Sequence, residues 1–498
     1  MNKIYDFSYK HGITATVNKT TLTLHGANAV LKLIAKDLTV ENKSISYNIK
    51  MVKDKIKRLK SSNYCNPNKL ELAEQELEDL EAQRFIEYFD WLTPTELEVP
   101  KGFWYLAKEP CLIKNMKYFD FPEGEIKINP RPYQIEAVQS LIKHERAMIE
   151  LATGLGKTVV LTHLIHNILK NSRKKNTRVM VVVPTIELMK QTLSFISKFI
   201  PNAHGIGGTK KYKTDCTVLV GVINSCIQYA DRFDAVIIDE VHHGASNMYN
   251  NLIFGLKKDA LVYGMTATPC RADGLVLGVH ANCGPVLYRK NTAWGVKQGY
   301  LCESDFWCIK MKTRKRLYDN MHEAKAYSTL ILQNDVLKMV ARIVKSMLSK
   351  GRRILFLTKH AKPSQEFANR LSELLNLKIE SASSKYRKPL NDFKKGETQI
   401  LIANDALCGE GVDIPTVDCM INLTQRSSES SIRQILGRGL RVSEDKDKLI
   451  FFDFCICGYG NWARKMDGTS YFKDRYEGSF EVRKRIYQEI GTINLKEY

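Results

Sequence analysis

The sequence predicts an α/β protein in which two domains with parallel sheets follow a smaller α+β N-terminal accessory domain. Two series of short β-branched apolar runs, separated by segments with helical periodicity, are typical of parallel strands buried on both faces. The first series lies in residues 126–305 and the second in residues 331–465. A chain of 498 residues is long enough for about three domains.

Residues 1–125 lack such runs and are expected to form the accessory domain, which we expect to bind DNA. The stretch TATVNKTTLTLHG (14–26) alternates with period two and predicts strand. Apolar residues at helical spacing on both sides of an Asn-Pro-Asn turn (66–68) predict a charged helical hairpin near 48–89. The hairpin either packs against its own domain or forms an arm that contacts DNA or a partner.

The strands of both parallel sheets are expected at β-branched runs. In the first domain these are VMVVV (179–183), TVLVG (217–221), AVIID (235–239) and LVYGM (261–265). In the second domain they are RILFLT (353–358), QILIAN (399–404), DCMINL (418–423) and LIFFDF (449–454). The segment 306–330, which contains the basic stretch KMKTRKRLYDN, is expected to be a linker, and 466–498 a C-terminal extension.

The charge of the chain points to a polyanionic partner. Lys and Arg number 75 against 54 Asp and Glu, which gives a formal net charge of +21 and favours nucleic acid. We find no long uncharged apolar run, signal peptide or basic amphipathic anchor, so we expect no membrane association and a cytoplasmic location. The twelve cysteines lack metal-binding spacing and are expected to be reduced, mostly buried thiols.

The stretch ELATGLGKTVVL (150–161) predicts a phosphate-binding loop. Gly154 and Gly156 allow backbone N–H groups to turn toward an anion, and Lys157 and Thr158 open a helix whose positive dipole end faces it. In such a site Lys157 holds the β- and γ-phosphates and Thr158 a Mg²⁺ ion. The strict pattern has Gly where this chain has Leu151, so a glycine-containing turn before an amphipathic helix is the alternative for the stretch alone.

An acidic pair follows the run AVIID. Asp239 ends the run, where a carboxylate can hold Mg²⁺ through water, and Glu240 can orient or deprotonate the water that attacks a γ-phosphate. Acidic residues at the start of a helix are common, so the pair gains its meaning from the loop and the strands that precede it. Together these features predict ATP and Mg²⁺ as cofactors.

Two arginines in the stretch RQILGRGLR (433–441) have a spacing that suits a shared task. Arg438 and Arg441 lie three residues apart on a predicted helix, hence on one face, and can both reach into a cleft. Such arginines neutralise charge at a transferred phosphoryl group. A solvated basic face is the alternative, which the adjacent Gln434 and Gly437 make less favoured.

The motifs between residues 131 and 441 resemble, in type and order, those of superfamily two helicases and translocases, which have two tandem RecA-like domains. The matching nucleotide motifs are RPYQ (131–134), LATGLGKT (151–158), DEVH (239–242), GEGVDIP (409–415) and QILGRGLR (434–441). The resemblance implies that ATP contacts Arg131, Gln134, Thr153, Gly154, Gly156, Lys157, Thr158, Gly411 and Asp413. It implies catalytic roles for Lys157, Asp239, Glu240, Gln434, Arg438 and Arg441, with Thr158 and Asp239 on the metal.

Further motifs resemble those with which this family contacts nucleic acid and couples it to ATP. They are VVVPTIELMKQ (181–191), GVINS (221–225), TATP (266–269) and ILFLTKH (354–360). The implied nucleic-acid contacts are Pro184, Thr185, Gly221, Asn224, Ser225, Thr358 and Lys359, to which we add Arg271 and the stretch GGTKKYK (207–213) as phosphate contacts. The implied coupling residues are His242, Thr266 and Thr268.

Two segments, IGGTKKYKTDCTVLVGVINS and GMTATPCRADG, are similar to DNA-directed members of the superfamily, such as the UvsW-like branch-migration helicases of tailed bacteriophages and, more distantly, RecG and XPB. This resemblance implies a monomer that remodels branched DNA, including Holliday junctions, replication forks and R-loops. The alternatives are an RNA helicase, a restriction-type DNA motor and an ATP-gated DNA-binding switch without unwinding.

Overall fold

The computed structural model divides into two compact units, Met1–Glu150 with Lys157–Arg289 and Leu151–Gly156 with Lys290–Tyr498. The residues that it describes are 13–18, 21–60, 67–106, 128–172, 174, 176–208, 213, 215–243, 246–267, 276–318, 321–383, 385–404, 407, 417–426, 428–443, 446–464 and 469–498. Each unit contains a large parallel sheet, so the predicted α/β fold class is confirmed.

The strands up to residue 290 are β1 (Thr14–Val17), β2 (Thr21–His25), β3 (Thr39–Glu41), β4 (Phe85–Glu87), β5 (Asp90–Thr93), β6 (Glu96–Pro100), β7 (Arg146–Leu151), β8 (Val179–Val183), β9 (Ala203–Ile206), β10 (Val218–Val222), β11 (Ala235–Asp239), β12 (Leu261–Thr266) and β13 (Val286–Lys290). The α-helices are α1 (Asn28–Asp37), α2 (Lys43–Lys60), α3 (Pro67–Ala82), α4 (Pro132–Leu141), α5 (Lys157–Asn171), α6 (Ile186–Ile196), α7 (Ile223–Cys226), α8 (Asn247–Gly255) and α9 (Val276–Cys283). Short 3-10 helices cover Lys101–Leu106, Ile227–Arg232 and Val241–His243.

The strands after residue 290 are β14 (Glu303–Tyr318), β15 (Ile354–Thr358), β16 (Ser381–Ala382), β17 (Ile400–Asn404), β18 (Cys419–Asn422), β19 (Lys448–Arg464), β20 (Ser470–Asp474) and β21 (Thr492–Glu497). The helices are α10 (Thr292–Lys297), α11 (Glu323–Ile331), α12 (Asn334–Leu348), α13 (Ala361–Leu375), α14 (Lys388–Lys395), α15 (Glu429–Gly439) and α16 (Arg475–Gln488). None of the helices in the described ranges is long and apolar enough to cross a membrane.

The N-terminal part of the first unit is an antiparallel sheet, order β1-β2-β6-β5, beside which a helix pair forms its own small core. Helices α2 and α3 bury Val52, Ile56 and Ala73 between them, separately from the core over the sheet. Ion pairs such as Lys53–Glu81, at 2.6 Å, connect the exposed edges of the two helices. The apolar faces of the helix pair are therefore satisfied by each other, which is the geometry of an arm.

The accessory domain is joined to the parallel-sheet domain through the 3-10 helix Lys101–Leu106. The ring of Trp104 stacks on His144, with centroids 4.4 Å apart, and its Nε1–H donates to the carbonyl of Arg146 at 2.7 Å. The backbone at Gly102 lies so close to α9 that an added Cβ would meet the carbonyl oxygen of His280 at 1.9 Å. Only glycine permits this approach, and the contact fixes the accessory domain to the body of the first unit.

The parallel sheet of the first unit has the order β13-β7-β12-β11-β8-β10-β9. The four runs predicted as strands in this domain form β8, β10, β11 and β12, and their central residues are buried as expected for a sheet covered on both faces. Strands β7 and β9 escaped sequence analysis because β7 includes Arg146 and Glu150, and β9 has only four residues.

The sheet of the second unit has the order β16-β17-β15-β18-β19-β14-β21, with β20 paired antiparallel to β19. The expectation that 306–330 is a linker is wrong, because β14 lies in this sheet and α11 follows it. Phe306 and Cys308 are buried at alternate positions, a strand pattern that the basic residues further along conceal. The C-terminal residues also belong to this unit, where β21 pairs with β14.

Helix α16 is attached to the second sheet by a buried ion pair. Arg483 donates from Nε to Oδ2 of Asp453 at 2.7 Å, and both side chains are fully buried. Asn422 donates to the other oxygen of Asp453, and Nη1 of Arg483 donates to the carbonyl of Arg426, each at 2.7 Å. Burial raises the pKa of Asp453, against the effect of the Arg483 guanidinium. The C-terminal helix thereby holds the end of β18 against the central part of β19.

The cysteines of the described ranges carry free thiols and, apart from Cys457, are buried. Burial raises the pKa of Cys226 and of Cys283 to about 12. Both groups are therefore protonated near neutrality, in agreement with the prediction of reduced, mostly buried thiols.

We expect Arg483→Met to destabilise the second unit by about 3–5 kcal/mol, because it leaves the Asp453 carboxylate buried without its partner. The free energy of unfolding in urea measures the loss. The matched control is Arg485→Met on the exposed side of the same helix, which we expect to change stability by less than about 0.5 kcal/mol. Equal effects of the two variants would contradict this role of the pair.

Stability should fall as the pH drops from 7.5 to 5, because burial, with a further contribution from Arg289, lowers the pKa of His280 to about 4. Unfolded histidine takes up a proton near pH 6.5, whereas the folded protein resists protonation until about pH 4, so acid favours unfolding. His280→Gln should reduce the stability difference between these two pH values by about 2 kcal/mol. His204→Gln, at a partly exposed position, is the control, and an unchanged difference in His280→Gln would refute the assignment.

Candidate functional site

The carboxyl ends of five neighbouring strands meet at one edge of the first sheet. Strands β7, β12, β11, β8 and β10 are parallel in this order, so the residues that end or follow them converge there. Ligands of open α/β sheets bind outside this edge. The predicted site residues that lie there are Lys157, Pro184, Thr185, Asn224, Ser225, Asp239, Glu240 and Thr266.

The loop between β7 and α5 has the backbone that its glycines predict. Gly154 and Gly156 have φ values of +92° and +75°, in the left-handed region that favours glycine. Helix α5 begins directly afterwards at Lys157, with Thr158 in its first turn. Such a turn at the N-terminus of a helix suits an anion such as a phosphate.

Lys157 lies against the acidic pair that ends β11. Its Nζ is 2.5 Å from Oε1 of Glu240 and 3.9 Å from Oδ1 of Asp239. The three side chains are only 13–15% exposed, so the charges interact more strongly than they would on an open surface. One ammonium and two carboxylates thus share one pocket of the sheet edge, and we expect a bound polyphosphate to compete for the ammonium.

Glu240 has a backbone conformation that is rare for its residue type. Its φ is +49°, which costs an L-residue other than glycine roughly 1–2 kcal/mol. The Glu240 N–H donates to Oδ1 of Asp239 at 3.0 Å, and this bond supports the turn. The sharp bend directs both carboxylates toward Lys157. A strained residue in this place indicates a functional constraint.

The structure also brings together two of the predicted coupling residues. Nδ1 of His242 is 3.2 Å from Oγ1 of Thr266 and 3.5 Å from Oε2 of Glu240. His242 therefore connects the acidic pair to the end of β12, where Thr266 is fully buried. Thr268, the third predicted coupling residue, lies outside the described residues.

The donors at this edge fit a magnesium ion that is shared with a nucleotide. Mg²⁺ prefers one or two carboxylates together with phosphate oxygens and water, and Asp239 and Thr158 supply oxygen donors of that kind. Among the described residues, no group of three or more His, Cys, Asp or Glu side chains is arranged to hold a metal ion. The chemistry of the donor set is therefore that of a metal–nucleotide site.

The upstream glutamine is placed at the start of a helix. Gln134 is 4% exposed, and its carboxamide oxygen accepts the Arg131 backbone N–H at 2.8 Å. Both residues thus cap α4, and their contact with a base stays a prediction. Gly411 and Asp413, the other predicted nucleotide contacts of the second domain, lie outside the described residues.

Two predicted nucleic-acid contacts do not present side chains to a ligand. Gly221 is buried in β10, where an added Cβ would lie 2.4 Å from Cγ2 of Ile206, so packing within the sheet explains the glycine. Thr358 is fully buried, and its hydroxyl lies 2.5 Å from that of Ser364. Both residues precede the point where their strands leave the sheet. The contacts of these two residues with nucleic acid stay predictions, and Gly221 can make one only through its backbone.

The remaining predicted nucleic-acid residues lie at strand ends. Thr185 accepts the Leu188 N–H at 3.2 Å and caps α6, whereas Asn224 is exposed on α7. Lys359 follows β15 and pairs with Glu323. Burial raises the pKa of Glu323, but the Lys359 ammonium outweighs this effect, so the pKa of Glu323 lies below its usual value. Arg271 and most of the stretch GGTKKYK lie outside the described residues.

Helix α15 of the second unit carries Gln434 and Arg438 but ends at Gly439, so the prediction that Arg441 shares a helical face with Arg438 is wrong. Arg441 is exposed just beyond the helix, and Gln434 and Arg438 are half-buried. Arg433, which sequence analysis missed, bridges α15 to Glu489 at the end of α16, with an N–O distance of 2.6 Å. No local pattern distinguishes Arg433 from a surface arginine, because its partner lies 56 residues away in the chain.

Two protein families match this chain. Residues 127–271 match the family described as "Type III restriction enzyme, res subunit", and residues 335–443 match "Helicase conserved C-terminal domain". Together the two matches cover just over half of the chain. They contain the loop, the acidic pair and the arginine helix in the order found here.

Curated relatives carry helicase or translocase names. IRC3 of Saccharomyces cerevisiae, named as a candidate ATP-dependent helicase, is 26% identical over 362 residues, which are 65% of this chain and 51% of that protein. The protein named DNA 3'-5' translocase XPB2, from Sulfurisphaera tokodaii, is 26% identical over 390 residues, which cover 70% of this chain and 86% of that protein. The chain therefore spans about half the length of the yeast relative.

Solved structures agree at the level of the fold. The ATP-dependent Type ISP restriction-modification enzyme LlaBIII bound to DNA has a TM-score of 0.55 at 16% identity, covering 87% of this chain and 34% of that one. UvsW of bacteriophage T4 aligns over 98% of this chain and 99% of its own, at 15% identity and a TM-score of 0.43. That score is too low to support a closer relationship to UvsW.

Glu240→Gln should lower ATP hydrolysis by about 10²- to 10⁴-fold while nucleotide binding persists, because the amide cannot accept the proton of the attacking water. Lys157→Ala should weaken both binding and hydrolysis. Steady-state ATPase rates and the affinity for a fluorescent ATP analogue measure the two effects. Lys170→Ala, at the opposite end of α5, is the control. Hydrolysis at the normal rate in Glu240→Gln would overturn the assignment.

Proposed function

Since the chain belongs to the superfamily two helicases, we propose that it is an ATP-hydrolysing DNA motor whose nucleotide site includes Lys157, Asp239 and Glu240. The observation that carries the proposal is the contact of Lys157, at the N-terminus of α5, with Asp239 and Glu240, in a chain whose preceding loop has two left-handed glycines. An ammonium and two carboxylates at a helix N-terminus are the groups that phosphoryl transfer to water requires.

Each residue of this site has a defined task in the proposal. Lys157 binds the β- and γ-phosphates, and Asp239 and Thr158 hold Mg²⁺. The metal, when bound, neutralises charge on the phosphate oxygens. Glu240 accepts a proton from the attacking water or orients it. The release of Lys157 from Glu240 on nucleotide binding makes the Glu240 carboxylate available for that task.

The second unit contributes further groups to the proposed reaction. Arg438 and Arg441 supply positive charge to the transferred phosphoryl group, and Gln434 lies one turn before Arg438 on the same helix. Movement between an ATP-bound and an ADP-bound state then depends on contacts that exist only while the γ-phosphate is present. This dependence couples hydrolysis to stepwise motion.

DNA is the proposed track. The net charge of +21 favours a polyanion held through its phosphates, so binding is expected to be sequence-independent and to weaken with salt. The name of the XPB2 relative, a DNA translocase, supports DNA over RNA. The cytoplasmic location and the monomeric state remain predictions.

Branched DNA is the proposed substrate within that class. The support is the similarity of two sequence segments to branch-migration helicases, together with the arm formed by α2 and α3. Helix α2 carries Lys53, Lys55, Lys57, Arg58 and Lys60, and three of these lysines pair with glutamates of α3, so the charge of α2 is partly neutralised within the arm. Because the accessory domain is fixed to the first unit by Trp104 and Gly102, force from the motor can reach a duplex bound by the arm.

ATPase rates with no nucleic acid, single-stranded DNA, duplex, a four-way junction and RNA test this proposal. We expect the four-way junction to stimulate hydrolysis most, with junction dissolution in the same reactions and neither activity in Lys157→Ala. Stimulation by DNA without strand separation would instead indicate a translocase or an ATP-gated switch. A stronger response to RNA would contradict DNA as the track.

A further inference from the structure

We propose that the ribbon formed by Tyr459–Arg464 of β19 and Ser470–Asp474 of β20 is an additional contact for single-stranded nucleic acid. In this contact Trp462 stacks on a base, and Lys473 lies near the phosphates. The inference rests on the proposed function, because it adds a binding surface to a nucleic-acid motor. None of the motifs in the sequence analysis includes the ribbon.

The ribbon projects beyond the carboxyl edge of the second sheet. Strand β18 pairs with β19 only as far as Asn422 opposite Asp453, whereas β19 continues to Arg464. Strand β14 accompanies β19 as far as Tyr318 opposite Gly460, so the part of β19 that pairs with β20 alone is residues 461–464, roughly 13 Å long at about 3.3 Å per residue. Strands β15 and β17 end with Thr358 and Asn404 at the same edge. The ribbon therefore rises on the side where Lys359 follows β15.

The base of the ribbon is firmly fixed. Asp474 accepts the N–H groups of Gly458, at 2.5 Å, and of Tyr459, at 3.1 Å, and it also caps α16. An added Cβ at Gly460 would lie 2.0 Å from the carbonyl oxygen of Lys473, so the two strands approach closely there. A ribbon with a fixed base can hold a ligand in register with the rest of the unit.

The ribbon is connected to the predicted contact Lys359 through α11. The Tyr459 hydroxyl donates to the carbonyl of Met321 at 3.2 Å, just before α11 begins. Within α11, Glu323 pairs with the Lys359 ammonium, and the Tyr327 hydroxyl accepts the Lys359 N–H at 2.9 Å. Contacts through α11 thus connect Lys359 with the base of the ribbon within the second unit.

The exposed side chains of the ribbon are aromatic and basic. Trp462 is 51% exposed and Tyr471 is 40% exposed, on opposite faces, because Trp462 lies opposite Phe472 whereas Tyr471 lies opposite Ala463. Lys473 is exposed on the same face as Tyr471. The one acid of the described strands, Asp474, is used at the base. A single strand that passes over the β20 edge of the ribbon can therefore stack a base on Trp462 on one face and bring a phosphate to Lys473 on the other.

Structural packing accounts for only part of these features. The ring of Trp462 meets Phe472 edge-on, with centroids 6.1 Å apart, which covers one part of the indole. Half of the Trp462 side chain remains exposed and is available to stack on a base. Charge complementarity selects a nucleic-acid strand over an apolar peptide.

The test compares Trp462→Ala, Trp462→Phe and the control Trp91→Ala, which removes a tryptophan of 40% exposure from β5 of the first unit. The anisotropy of a fluorescein-labelled oligo-dT strand gives the dissociation constant without nucleotide. Loss of one base stack should weaken binding by about 5- to 150-fold in Trp462→Ala. Trp462→Phe, which keeps a π-face, should retain most of the affinity, and Trp91→Ala should match the parent.

A second measurement follows the phosphate contact. Lys473→Ala should lower the slope of log affinity against log salt by about 0.7, the value for one phosphate contact on a single strand. In ATPase assays Trp462→Ala should raise the DNA concentration for half-maximal stimulation while the rate without DNA stays unchanged. The ATPase rate without DNA separates the two proposals. A normal rate in Lys157→Ala would contradict the proposed nucleotide site, but it would leave the ribbon contact untouched.

Unchanged oligo-dT affinity in Trp462→Ala, with basal hydrolysis intact, would overturn the ribbon contact and leave the motor proposal standing. Sedimentation gives a further check. If the parent chain self-associates and Trp462→Ala is monomeric with normal DNA affinity, the ribbon is a contact between copies of the chain, which also overturns the proposal.

Discussion

The ion pair of Lys157 with the carboxylates that end β11 is the interaction on which the first unit is organised. The side chains of Lys157, Asp239 and Glu240 are each about one-seventh exposed, so their charges lose much of their hydration. Contact between opposite charges offsets this desolvation penalty. Parallel strands meet this requirement by bringing residues far apart in the chain to one edge. The sheet order leaves one strand, β12, between β7 and β11, so that Lys157 can span the distance.

The strain at Glu240 belongs to the same arrangement. A strand that ends with a sharp left-handed turn directs two successive carboxylates to one side, which an extended backbone would place on opposite faces. His242 then connects this turn to Thr266 on the neighbouring strand. A short chain of polar contacts therefore connects Lys157 with the ends of two strands of the sheet.

In the second unit, the main polar contacts join the C-terminal helix to the sheet and to α15. Its C-terminal helix contributes Arg483 to a fully buried pair with Asp453 and connects to α15 through Glu489 and Arg433. Residues that resemble an extension in the sequence thus help to position the helix that carries Arg438 and is followed by Arg441. The same helix, capped by Asp474, supports the base of the ribbon.

The sequence by itself determined the local features of this protein. The glycines of the loop and the position of the acidic pair after a β-branched run depend on short stretches, so they follow from residue types and periodicity. Only the tertiary structure decided that Gly221 and Thr358 are buried, that β14 lies where a linker was expected, and that Asp453 and Arg483 meet. The reason is that burial and pairing across the sheet depend on residues distant in the chain. The residues around a single charged side chain in a helix do not indicate which distant residue will be its partner.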